Sequence, residues 1–139
     1  MIVVDTNVIS EPLKPDANPA VAAWLDRQAP ETLYLTATNL SEILYGVAAL
    51  PDGKRKRGMS AAMQELLAEL FDDRFLSFDR DSAVAYALLV SRAIAKGFSI
   101  SVADGQIAAM AAVRGFAVAT RDTAPFLAAG VLVINPWVS

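Results

Sequence analysis

The 139-residue chain contains no cysteine and no histidine. Without Cys there is no disulfide, thiol nucleophile or thiolate metal site, and without His there is no Ser-His-Asp triad, imidazole acid–base pair or common zinc site. Any enzymatic chemistry falls to carboxylates, and carboxylates bind hard cations such as Mg2+ or Mn2+. Charge is scarce too: 19% of the residues are charged and 55% hydrophobic, where roughly 25% charged is ordinary for a soluble domain. Apolar surface left after the core is filled predicts an oligomer or a tight protein partner. A net charge of -3 argues against broad attraction to nucleic acid and leaves only local basic patches. No apolar run approaches the ~20 residues needed to cross a bilayer. The N-terminus has neither the basic start nor the cleavage site of a signal peptide, so the expected setting is the cytoplasm, away from membranes.

What is present reads as one domain over residues 1–139, long enough to bury a single core. Ile2–Val4 predicts a strand, Asn18-Pro19 a helix start with Val21, Trp24 and Leu25 on one face, and Leu33–Thr36 a second strand. Leu40, Ile43, Leu44 and Val47 mark a helical face, and PDGKRKRG reads as a loop before a helix striped by Met59, Met63, Leu66, Leu67, Leu70 and Phe71. Phe75–Phe78 reads as a strand and Ala83–Ala95 as a helix capped by Asp81. A further helix carries Ile107, Met110 and Ala111 and ends at Gly115. Phe116–Ala119 and Val131–Ile134 read as strands, with one helical turn at Ala124–Leu127 between them. Strands alternating with helices predict an α/β domain with a mainly parallel sheet, whose functional crevice lies beyond the carboxyl ends of the strands.

Four acids stand at strand-to-helix transitions. Asp5 follows the first strand, Glu42 opens the helix after the second, Asp104 opens the helix after FSIS, and Asp122 follows Phe116–Ala119. Helical side chains lean toward the helix N-terminus, so acids in first turns face back to the strand ends and four of them can share one crevice. Capping is the competing explanation. Asn39-x-x-Glu42 and Ser101-x-x-Asp104 resemble capping boxes, and Asp5 and Asp122 suit simple N-caps. The run Lys54-Arg55-Lys56-Arg57 is either a solvated loop or a site for RNA phosphates. It is not a P-loop, because the upstream glycine is missing and Arg55 stands where Ser or Thr belongs.

In context, MIVVDTNVISE, then Glu42 in TNLSEI, SVADGQIAA and VATRDT resemble the PIN-domain nucleases over essentially the whole chain. Within that family the chain is similar to the VapC-type ribonuclease toxins, and most of all to FitB-like members. The resemblance implies a three-layer α/β/α sandwich around a mainly parallel five-stranded sheet, with Asp5, Glu42, Asp104 and Asp122 as the acidic quartet. It also implies Mg2+- or Mn2+-dependent cleavage of RNA, a homodimer, and inhibition by a small cognate antitoxin. In FitB-like members that antitoxin is of the ribbon-helix-helix type, and DNA is bound only through the antitoxin complex. On this basis Asp5 and Asp104 are the primary metal ligands, and Glu42 and Asp122 complete the site directly or through waters. Thr6, Asn7 and Thr120 orient carboxylates or waters by hydrogen bonds. Arg121 steadies a carboxylate, contacts the scissile phosphate or forms a structural ion pair.

Two other classes are weighed against this one. Aspartyl-phosphate enzymes need a second acid where Asn7 stands, or a lysine where VATRDT offers Arg121. A non-catalytic PIN-like module, acting only through antitoxin binding and operon DNA regulation, would keep the acids as helix caps.

Overall fold

Short, largely apolar segments at Ile2–Val4 (β1), Leu33–Thr36 (β2) and Ala117–Ala119 (β4) supply strands that can be buried on both faces, as a parallel sheet requires. In the computed structural model, which describes residues 1–138, they join Phe75–Leu76 (β3) and Val133–Ile134 (β5) in one sheet of order β3-β2-β1-β4-β5. Every neighbouring pair is parallel, and Ile2 lies opposite both Leu33 and Ala117. The central strand β1 leads to β2 on one side while β4 returns on the other. This is the strand reversal at which an open α/β sheet forms a crevice.

Among the described residues seven α-helices cover the sheet: α1 (Thr6–Ser10), α2 (Pro19–Arg27), α3 (Ala37–Ala48), α4 (Lys54–Phe71), α5 (Arg80–Ala95), α6 (Val102–Arg114) and α7 (Thr123–Ala128). Short 3-10 turns at Glu11–Leu13 and Pro30–Thr32 follow α1 and α2. Because side chains alternate along each strand, Val4, Leu33, Leu35 and Ala119 pack with α1, α2, α3 and α4 on one face. Val3, Leu76 and Val118 pack with α6 and α7 on the other. The result is the expected α/β/α arrangement. Among the described residues no helix is long and apolar enough to cross a membrane.

Several boundaries differ from the sequence expectation. Phe116 and Val131 are not strand residues, because their N–H groups donate to Ala111 and Phe126 carbonyls and close the ends of α6 and α7. Gly115 (φ 71°) and Gly130 (φ 81°) make those turns possible. β3 ends at Leu76 rather than Phe78, as the chain leaves the sheet edge to enter α5. The cap of α5 is Asp79, whose Oδ1 accepts from the Ser82 N–H at 2.9 Å; Asp81 lies in the first turn. The basic run is not a loop. Gly53, at φ 148°, turns the chain so that Lys54–Arg57 forms the first turn of α4. Within it Lys56 Nζ is tied to Ala48 O and Asp52 Oδ1.

α6 places Gly105, Ala108, Ala109 and Ala111 in buried positions, and these small residues let neighbours approach closely. At Gly105 the approach is extreme, since a Cβ there would lie 2.6 Å from Tyr86 Cε2 and 2.9 Å from Val90 Cγ2 on α5. Asp104, the preceding residue, takes its position from this contact.

Candidate metal centre

Asp5 ends β1 and caps α1. Its N–H donates to Ala119 O on β4 at 2.9 Å, and its Oδ1 accepts from the Thr6 N–H at 2.9 Å. Only 6% of the residue is exposed. Asn39 Nδ2 also donates to Oδ1, at 3.0 Å, and Thr120 Oγ1 donates to Oδ2 at 2.7 Å. Asn7 Nδ2 stands at 3.5 Å from Oδ2 and 3.4 Å from Thr120 Oγ1. Three elements thus aim donors at one carboxylate and fix its plane, while Oδ2 has only one close protein donor and keeps capacity to bind a cation.

The other acids attach to the same web. Thr6 Oγ1 donates to Glu42 Oε1 at 3.0 Å and accepts from Asn39 Nδ2 at 3.1 Å, linking Glu42 to the Asp5 partners. Thr120 Oγ1 accepts from the Asp122 N–H at 3.1 Å, so one hydroxyl connects Asp5 to the start of α7. Asp122 occupies the N-cap position of α7, yet its side chain caps nothing. Asp104 sits in the first turn of α6, where its own N–H donates to Ser101 Oγ at 3.1 Å as the sequence predicts. Its carboxyl is pushed above the usual carboxylate range, first by burial and then by the negative charge of Asp5, against an opposing Ser101 hydrogen bond; Asp122 and Glu42 raise it further. All four acids therefore share one electrostatic field.

Glu42 differs from its expected placement. It lies in the second turn of α3 and does not open the helix, because Thr36 is the cap and its Oγ1 accepts from the Asn39 N–H at 3.0 Å. The box is Thr36-x-x-Asn39, shifted three residues from the Asn39-x-x-Glu42 expectation. Thr36 Oγ1 also donates to Asn39 Oδ1 at 2.6 Å, which turns the amide so that Nδ2 faces Asp5. Asn39, fully buried, is thus a site residue that the sequence reading missed. A threonine ending a strand three residues before an asparagine was the signal available.

The Arg121 side chain forms no ion pair with the acidic quartet among the described residues, and its charge adds to the Asn18 N–H hydrogen bond and Lys14 in lowering the pKa of the Glu11 carboxyl. Its guanidinium lies over the Trp137 ring, 5.2 Å from the centroid, and it forms no ion pair among the described residues. Its backbone N–H donates to Asn7 Oδ1 at 3.3 Å.

The donor chemistry fits a divalent cation. None of the four acids is ion-paired to Lys or Arg among the described residues, so their mutual repulsion is unrelieved by protein charge. No three acidic side chains among the described residues converge tightly enough to enclose an ion on their own.

A PIN-domain profile matches residues 2–131. The VapC ribonuclease Y4jK of Sinorhizobium fredii is 48% identical over 99% of this chain and 98% of its own length. Toxin FitB of Neisseria gonorrhoeae is 47% identical over 99% of both chains. A solved structure of FitAB bound to an IR36 DNA fragment superimposes with a TM-score of 0.94 at 47% identity, covering 99% of this chain and 96% of the other.

Proposed function

The chain belongs to the PIN-domain family, and we propose that it is the toxin of a toxin–antitoxin pair, a Mg2+- or Mn2+-dependent ribonuclease. The observation that carries the chemistry is the quartet Asp5, Glu42, Asp104 and Asp122, in which Thr6 and Thr120 join Asp5, Glu42 and Asp122, and none of which is ion-paired to Lys or Arg among the described residues. Relatives of nearly half-identical sequence named as a ribonuclease and a toxin support the substrate class and the biological role. The FitAB–DNA structure supports an antitoxin partner and a complex that meets DNA; the resemblance to FitB-like members adds that the antitoxin is small, of the ribbon-helix-helix type or a similar DNA-binding protein, and that DNA is contacted through it. A homodimer working in the cytoplasm completes the proposal.

Asp5 and Asp104 would hold the ion, with Glu42 and Asp122 completing the site directly or through waters. When bound, the cation supplies Lewis acidity toward the phosphate and the attacking water. The chain's own residues do the positioning. Asn39, Thr6 and Thr120 keep Asp5 in one orientation, and Thr120 joins it to the α7 terminus. One of the exposed carboxylates, Glu42 or Asp122, would accept the water proton as its oxygen bonds to phosphorus, and the P–O ester bond would break with the departing ribose oxygen taking a proton from solvent.

Antitoxin-free protein is expected to cleave RNA with magnesium and to stop in chelator, and Asp5→Ala and Asp104→Asn are expected to be inactive. Cleavage that persists in chelator, or in both variants, overturns the nuclease. Wild type that binds its antitoxin but cuts nothing with either metal restores the non-catalytic module.

A further inference from the structure

The four acids do not account for the basic run at the start of α4. Three of its cations are placed differently: Lys56 is tied back to Ala48 and Asp52, and Lys56 and Arg57 border a shallow hollow with Ser60 and Gln64. Arg55 instead lines a groove of about 450 Å³ that Thr6 and Glu42 also line. The groove is of the size that accepts a small organic group, within the usual ~300–1,000 Å³. Its floor is apolar, built from Leu13, Ile43, Val47, Met59 and Met63. Lys14 stands on its rim, but its ammonium is partly committed to the buried Glu11 at 3.3 Å. Arg55 is exposed and carries no hydrogen bond or ion pair among the described residues.

A groove lined by a candidate catalytic carboxylate, by apolar side chains and by an unpaired cation offers the kinds of contact that a nucleotide makes. We propose that it seats the RNA nucleotide next to the scissile phosphate, with the base against the Leu13–Met63 floor and the neighbouring phosphate on Arg55. Base faces are apolar and polarisable, and the methionine sulfurs suit them. The guanidinium fork suits phosphate oxygens. Arg55 is then a substrate-positioning residue, and the remainder of the basic run is not. This assignment rests on the ribonuclease reading.

The test measures binding of a single-stranded RNA oligonucleotide to Asp104→Asn protein, which needs no turnover, with Arg55→Gln, Arg57→Gln or Met59→Trp added in turn. Arg55→Gln is expected to weaken binding several-fold and to lower the slope of log K against log salt by about 0.7, the value of one phosphate contact on a single strand. Arg57→Gln is expected to bind as the parent does. Met59→Trp, which fills the groove, is expected to weaken binding while leaving the salt slope unchanged. In otherwise wild-type protein, Arg55→Gln raises KM more than it lowers kcat and leaves the magnesium-induced rise in Tm intact. Equal losses for Arg55→Gln and Arg57→Gln, or no loss for Arg55→Gln, overturn the subsite. RNA binding unaffected by Met59→Trp while the antitoxin is lost overturns it in favour of a protein occupant. Wild type that cuts no RNA with either metal overturns the nuclease reading instead, a result separable from every binding outcome.

Discussion

Asp5 is oriented by residues far from it in sequence, of which Asn39 is the most constrained. The Asn39 amide is locked between Thr36 and the Asp5 carboxylate, so Asn39→Ala removes a donor and leaves buried polar atoms unmatched, a loss of about 1–3 kcal/mol. Its larger expected effect is on metal affinity, which falls about 10- to 100-fold when an orienting partner is deleted. Titrating magnesium against Tm reads this directly, and an unchanged midpoint would show that Asp5 is held without Asn39. Asp104 gives a prediction in pH. Its folded-state pKa lies above the ordinary value, so its contribution to stability is fully present below about pH 3.9 and is lost as pH rises through the raised value. In chelator, Asp104→Asn should therefore gain in Tm over wild type as pH rises from acid toward neutral. A gap that stays constant with pH contradicts this. Asp5 and Asp122 stand out at this scale because they follow apolar strands, whereas Asp104 follows α5 and a loop, not a strand, and stands out only by its place three residues after the Ser101 cap. Asn39 does not, because its partner is 34 residues away and only folding reveals it.

At the scale of elements, α6 carries Asp104 into the site on a close contact with α5. Gly105→Ala would drive a methyl into the Tyr86 ring, which is itself held edge-on against Phe78, and overpacking of this kind costs about 1–3 kcal/mol. We expect a lower Tm for Gly105→Ala, partly recovered when Tyr86→Ala is combined with it. Strictly additive losses in that double-mutant cycle would show that the contact is not shared. The long helices and the three central strands were readable from hydrophobic spacing. α1 was not, since five residues are too few to show a helical period. The start of α4 was misread because four cations at a helix N-terminus run against the macrodipole. The backbone turn at Gly53 decides the matter there.

For the whole molecule, apolar surface remains after the two core layers are filled. Val84 and Leu88, four residues apart on one face of α5, are 67% and 50% exposed, and Tyr45 on α3 is 74% exposed. Such a surface predicts self-association. Sedimentation should show a dimer of the toxin alone, and Val84→Glu combined with Leu88→Glu should shift it toward monomer without changing its melting cooperativity. A dimer that persists in the double variant would place the interface elsewhere. The same residual apolar character was already evident in the composition, although which helix carries it was not.

The sequence by itself determined the chemistry that is open to this protein. A chain without His or Cys has no imidazole or thiol chemistry and leaves acid–base work to its carboxylates, which bind hard cations, and alternating strands and helices point to a parallel sheet with a crevice at its carboxyl end. The tertiary structure decided which groups share that crevice. Asp5 meets Asn39 and Thr120 only because β1 lies between β2 and β4, and Arg55 shares a groove with Glu42 only because α4 begins at Lys54 and packs beside α3. Local sequence fixes element type through short-range periodicity and capping. Side-chain convergence across more than 30 residues depends on strand order and helix packing, which no local pattern encodes.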